Sequence, residues 1–320
     1  MALRASPGWI VSLLVAGVFV LAGALLQLLA RLIVAALWPN GGPGVDGAFD
    51  LAALPAMVLA GGLALALVVG WAKAAPRRGW AWLGGGGAIL IFAAVLLPPV
   101  TLIPSLRHDT PVRLDGASAP ILAFVRRGGM PADGLYSFSG ANPADVDVEG
   151  LGPITHVAVS RAALAAPTAQ TYAALGHLLG HYRHRDLWNM ALLWSGCGAA
   201  ICWGVWRFTG PVARRLGEGG LGSLGDPAAL PVMAMIVWAA LPFASLAFNG
   251  FDRAINYRAD AFAMALTRDP DALCRWLVAS EGGDKAAPSA LEALLFYDHP
   301  PLKARLIAAQ RWKTTRGPSL

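Results

Sequence analysis

Five stretches of the chain stay apolar over about the 20 residues that a helix needs to cross a bilayer, and they leave little room for a water-soluble fold. They run over 9–30, 51–72, 80–106, 187–206 and 227–250, and none contains an Asp, Glu, Lys or Arg. The composition agrees. Only 14% of the 320 residues are charged and mean hydropathy is +0.55, whereas soluble domains carry about a quarter charged residues. The first stretch ends near Arg31 and Trp38, which suit the headgroup level and the aromatic belt. Its apolar run exceeds the roughly 7–15 residues of a signal peptide, so a retained anchor is expected. In the third, Gly84 to Gly87 and Pro98-Pro99 predict a kink or an early end.

Loop charges orient the spans, because cytoplasmic loops collect Lys and Arg. Arg4 precedes the first span; Lys73, Arg77 and Arg78 follow the second; Arg207, Arg214 and Arg215 follow the fourth, against Glu218 and Asp226. All three segments share one side if every span crosses. Between the first two spans, beyond Arg31 at the end of the first, the charged residues are Asp46 and Asp50. The expected topology puts the N-terminus in the cytoplasm and the polar regions 107–186 and 251–320 on the outer side of the cell membrane. The net charge of +6 is not gathered into a basic run interleaved with aromatics, so no nucleic-acid partner is expected. Cys197, Cys202 and Cys274 form no C-x-x-C and read as small apolar side chains.

The polar regions read as α with a little β. Alternation predicts strands at Leu135–Phe138 and at 155–160, with turns at Asn142-Pro143 and around Gly150 to Pro153. Residues 121–125 read as strand or helix. A helix is predicted over 167–186, with Pro167 at its first position. Helices follow over 252–266, from Asp269-Pro270 onward, over 289–297, and from the Pro300-Pro301 pair to Trp312.

One helix carries the chemistry. His177 and His181 stand four apart, so they stack on one helical face and can grip one metal ion. The bland reading is two polar residues on an amphipathic helix. The zinc-protease signature H-E-x-x-H has this spacing, with Glu as general base in its second position. Here that position is Leu178.

Four further stretches raise the pair above coincidence. Gly150-Leu151-Gly152 precedes the second strand, and Arg183-His184-Arg185-Asp186 follows the histidines. Residues 253–263 read Arg-Ala-Ile-Asn-Tyr-Arg-Ala-Asp-Ala-Phe-Ala, and His299-Pro300-Pro301-Leu302 with Arg305 comes last. In order and spacing, from about residue 130 to the end, the chain resembles the integral-membrane zinc metallopeptidases of the CAAX prenyl protease and HtpX type, metallopeptidase family forty-eight. That resemblance implies a mainly α, multi-pass membrane protein of about five transmembrane helices. A zincin-like α+β domain would be split by a membrane hairpin: 1–106 as three spans with short loops, 107–186 as the first half of the peptidase-like domain, 187–250 as the hairpin and 251–320 as the second half.

Carried over position by position, the resemblance makes His177 and His181 the zinc ligands and Asn256 the third-ligand position, where the family has Glu. Leu178 occupies the base position. Asp260 matches a residue that supports a ligand histidine from behind, with a substitute-ligand role as the alternative. His299 and Arg305 match residues near the substrate oxyanion and the domain core. His184 is an alternative third nitrogen ligand, and Glu149 and Asp186 are remote alternatives for the base. An amide in place of a carboxylate leaves a zinc site nearly the full charge of the ion, so zinc is expected to bind weakly or not at all. Leucine accepts no proton. The leading expectation is therefore a membrane-embedded pseudopeptidase that binds a peptide or a membrane-protein segment, or regulates a partner, with the strand at 155–160 as the docking edge. A zinc-dependent metalloendopeptidase with a rearranged site is the second reading, and a metal-binding or sensing membrane protein the third.

Overall fold

The computed structural model describes residues 79–96, 110–112, 118–131, 135–150, 155–215, 229–281 and 287–316. Two compact units divide the chain: 1–91 with 194–245, and 92–193 with 246–320. The expected spans 9–30 and 51–72 lie outside the described residues, as do residues 97–109, which include the end of the expected third span.

The second unit is built on a four-stranded sheet. Its strands are β1 (Thr110–Pro111), β2 (Leu135–Phe138), β3 (Val146–Glu149) and β4 (His156–Ser160), in the order β1-β2-β4-β3. β2 and β4 are parallel, with Leu135 opposite Val157; β3 and β4 are antiparallel, with Val148 opposite Val157. Strand β4 reads His-Val-Ala-Val-Ser and buries its last four residues, as a strand covered on both faces does. It is therefore a central strand, which corrects its expected role as the docking edge. Among the described residues the edges of the sheet are β1 and β3.

Helix α1 covers Gly79–Leu96. Helix α2 (Ala119–Arg127) resolves the strand-or-helix question at 121–125 in favour of helix, with Pro120 in the first turn, where no intrahelical donor is needed. Its Ile121, Phe124 and Val125 pack against Leu135, Val157 and Val159 of the sheet and against Leu175 and Leu179 later in the chain. The short α3 (Arg161–Ala165) starts on a Ser160 cap.

Helix α4 (Ala169–Arg183) begins on Thr168, whose side chain accepts from Thr171 N–H while the Thr171 side chain returns to Thr168 N–H. Pro167 thus lies before the cap rather than at the first helical position. Sequence alone favours Pro there, but the reciprocal Thr-Thr box decides the start. Thr171 also donates to the Pro143 carbonyl at 2.6 Å, tying the helix to the β2–β3 connection.

Helix α5 covers Asp186–Arg215 and α6 covers Leu230–Thr267. The expected break after residue 250 is absent: the apolar stretch and the run at 252–266 are one helix of 38 residues. Among the described residues, α6 is the one helix long and apolar enough to cross a membrane. Helix α5 has the length, but its Trp, Gly and Asn residues keep it below the same measure. Helices α7 (Pro270–Glu281), α8 (Ala290–Phe296) and α9 (Leu302–Arg316) follow, the first capped by Asp269 as expected and the second by Ser289.

Two glycines set the contact that builds the site. A Cβ on Gly180 would stand 2.9 Å from the Cα of Ala259, and one on Gly176 would stand 3.2 Å from the Cα of Ala263. Helix α4 therefore lies against α6 almost backbone to backbone, in antiparallel register. The residues next to these contacts, His177 after Gly176 and Asp260 after Ala259, are thereby brought within reach of each other.

Candidate metal centre

His177 and His181 project from α4 toward one point. Their Nε2 atoms lie 3.1 Å apart and their rings stand edge to face, 4.7 Å between centroids. Behind each imidazole a carboxylate holds the other nitrogen: His177 Nδ1 lies 2.9 Å from Asp260 Oδ1, and His181 Nδ1 lies 2.9 Å from Asp186 Oδ2. A carboxylate accepts, so each Nδ1 carries its proton and donates it. Both Nε2 lone pairs are then left facing each other across 3.1 Å.

Two lone pairs at that distance repel unless a cation or a shared proton lies between them. Two imidazoles on one tetrahedral zinc, with Zn–N of about 2.0–2.1 Å, have their nitrogens about 3.3 Å apart. The histidine pair and its two backing carboxylates therefore fit half of a zinc site, with the carboxylate–histidine pairing that orients metal ligands.

Each backing carboxylate has its own counter-charge. Arg305 Nε donates to Asp260 Oδ2 at 2.7 Å and its Nη2 to Asp260 Oδ1 at 2.6 Å. Arg305 is 2% exposed and Asp260 4%, so this bidentate pair is buried. Arg258 donates to Asp186 Oδ1. Trp276 closes over His177 with ring centroids 5.2 Å apart.

The remaining half of the site lacks donors. Asn256 is buried one turn before Asp260, and its Nδ2 donates to the Asp252 carbonyl at 2.9 Å. Only its neutral amide oxygen is left to offer a cation. Asp260 has both oxygens engaged from behind His177, on the side away from Nε2, so the substitute-ligand role does not fit its position. His184 uses Nδ1 on the Gly180 carbonyl at 2.7 Å, a helix C-terminal contact that cations favour, rather than facing the pair. Among the described residues no group of three or more His, Cys, Asp or Glu side chains could hold a metal ion.

Beside the pair opens a cavity of about 750 Å³, walled by Val148, Gly150, Leu178, His181, Asp186 and Trp188 among others. Leu178 thus presents a branched alkyl group where a base would stand. Glu149 is 2% exposed beneath the sheet, 3.6 Å from His156 Nε2, and Asp186 is spent on His181 and Arg258, so neither stands as a base over the pair. His299 is exposed, bonded to Asp298 at 3.0 Å, and does not line the cavity. Arg305 lies in the interior on Asp260 and likewise does not face the cavity.

The part played by Asp186 and Arg258 was not legible as a pairing. Its signal was an acid placed immediately past the end of α4, five residues after His181, where the chain reverses through Arg185 at a φ of 57°.

Burial sets the titration of His177. Desolvation pushes its pKa from 6.5 down to about 4, against the hydrogen bond to Asp260, whose charge Arg305 already matches. The folded chain therefore keeps His177 neutral while the unfolded chain binds a proton below pH 6.5. Stability contributed by this group is complete above pH 6.5 and is lost as pH falls from 6.5 toward 4. At about 1.4 kcal/mol per unit, the loss reaches up to about 3 kcal/mol. Chelator-treated protein followed by thermal unfolding across that range should show the decline, and a His177→Gln variant should show a flatter one.

The model of peptidase family M48 matches residues 121–313, more than half of the chain. The crystal structure of S. mikatae Ste24p shares the fold at a TM-score of 0.65 and 17% identity, over 92% of this chain and 76% of that one. No curated protein matches in sequence.

Proposed function

The chain belongs to peptidase family M48, and from that premise we propose that it is a membrane-embedded pseudopeptidase, which keeps the family's scaffold and groove and has lost the reaction. The observation that carries this reading is Leu178 on the cavity wall next to His181. A zinc-bound water has no proton acceptor there, and general acid–base catalysis is worth roughly 10²–10⁴-fold. Asn256 compounds the loss by offering an amide where the metal needs a third strong donor. The histidine pair holds a zinc ion weakly, if the ion binds, and would polarise a carbonyl without activating water.

The retained function is binding. Edge strand β3 stands at the mouth of the cavity, with Val148 and Gly150 in its wall alongside Leu178 and His181. The Val148 N–H is held by the neighbouring Asp147 carboxylate at 2.8 Å, a contact that an added strand can displace. An extended peptide or membrane-protein segment would pair with β3 and pass the histidines uncut. Helix α6 supplies the membrane anchor in this reading.

A Val148→Pro variant tests it. Proline is tolerated in an edge strand but removes the donor. Fluorescent reduced casein should bind the wild type intact, and the variant should bind about tenfold less tightly, the worth of one hydrogen bond of about 1.4 kcal/mol. Equal binding by both proteins removes β3 as the docking edge.

The second reading, a zinc peptidase with a rearranged site, draws on one observation: the two Nε2 atoms still converge at 3.1 Å with both Nδ1 atoms held.

A further inference from the structure

Helix α8 exposes an apolar surface that nothing among the described residues covers. Leu291 is 66% exposed, Leu294 47%, Leu295 38% and Phe296 60%. Leu291, Leu294 and Leu295 stand at i, i+3 and i+4, on one side of the helix, and Phe296, its last residue, is exposed on the flank. The one charged residue within α8, Glu292, is buried and closes the Ser289 capping box. The exposed surface of α8 therefore carries four large apolar groups and no charge. Single exposed leucines need no explanation, but a contiguous group within seven residues does.

The hydrogen bonds of α8 fix where this surface lies. A helix leaves its last carbonyls without partners of its own. Here α6 supplies them: Asn249 Nδ2 donates to the Leu295 carbonyl at 3.1 Å, and Arg253 donates to the Ala293 carbonyl at 2.9 Å and to the Tyr297 carbonyl. Residues 249–253 are the point on α6 where the uncharged stretch 227–250 gives way to Asp252 and Arg253. On a helix that crosses a bilayer, that transition marks the water boundary. The C-terminus of α8 is pinned at that level.

We infer that α8 is an interfacial helix whose Leu291, Leu294, Leu295 and Phe296 side chains enter the bilayer surface next to α6. This rests on the reading of α6 as a membrane span. Lipid is the occupant because α8 is bonded to α6 at the boundary of that span and its exposed side chains are apolar and uncharged, as the acyl region requires. The consequence is positional. α8 and α6 together hold the peptidase-like unit against the membrane at a fixed height.

Site-directed spin labelling of the full chain in phosphatidylcholine–phosphatidylglycerol nanodiscs tests this. Cys197, Cys202 and Cys274 are first replaced by alanine, and labels are placed singly by Leu291→Cys, Leu294→Cys and Phe296→Cys. A Phe243→Cys label in the apolar stretch of α6 reports on the span itself. We expect oxygen to relax the α8 labels severalfold more than an aqueous nickel chelate does, with Phe243→Cys deeper still. If the Phe243→Cys label is in lipid while the α8 labels collide mainly with the nickel chelate, the inference is wrong and the span stands. If the α8 labels are shielded from both reagents, a protein surface covers the helix and the inference is equally wrong. If Phe243→Cys is itself aqueous, the membrane reading falls and takes the inference with it.

Discussion

Replacing Leu178 and Asn256 together by glutamate should turn the protein into a zinc-dependent peptidase. The two substitutions repair different defects. Asn256→Glu would offer a metal a third, charged ligand on α6, one turn before Asp260. Glu at 178 puts a carboxylate on the cavity wall beside His181, where zinc-bound water would be held. Neither is expected to suffice alone. Leu178→Glu has a base but a poorly held ion. Asn256→Glu holds the ion but lacks roughly 10²–10⁴-fold of rate. Asn256 is 5% exposed, so a carboxylate there is costly without a cation. The Asn256→Glu protein should therefore melt lower than wild type in chelator and recover when zinc is added, because binding and folding are then coupled. Metal analysis of the double variant should return one zinc per chain, and casein hydrolysis should appear. A folded double variant that takes up no zinc would show that the histidine pair is not half of a metal site.

The second large effect is on stability. Asp260→Ala should cost about 3–5 kcal/mol, the range for breaking a buried ion pair from one side. Arg305 would be left charged and 2% exposed, with both of its bonds to Asp260 gone, and His177 would lose the acceptor that fixes its tautomer. Removing both charges with residues of similar volume, as in Asp260→Leu with Arg305→Met, should recover much of the loss, because an unpaired buried charge is what costs most. Thermal unfolding in detergent compares the three proteins. A single variant as stable as wild type would mean that the pair does not hold α6 to α9.

Much of this site was legible in the sequence because helical spacing turns distance along the chain into direction in space. The interval from His177 to His181 fixed one face, and the family resemblance, not spacing, supplied Asp260 as its partner on a second helix. Strand order was not legible. β4 is apolar and alternating and reads as a docking edge, yet it sits between β2 and β3. The edge strand Val146–Glu149 contains two acids in four residues, which weakens its strand signal. The continuity of α6 was hidden for a related reason. Asp252 and Arg253 end the apolar stretch, but a charge marks where a helix meets water, not where its hydrogen bonds stop. Asp186 escaped because its pairing crosses the turn between α4 and α5, where helical spacing no longer applies.

The measurement that bears most directly on the loss of the reaction is peptide hydrolysis by the wild-type protein saturated with zinc, set beside its His177→Ala variant. No cleavage of casein by either protein is expected beyond the background of buffer and zinc. Cleavage by the wild type that the variant and a chelator both abolish would contradict that loss, and would place an active zinc centre on the histidine pair despite Leu178 and Asn256.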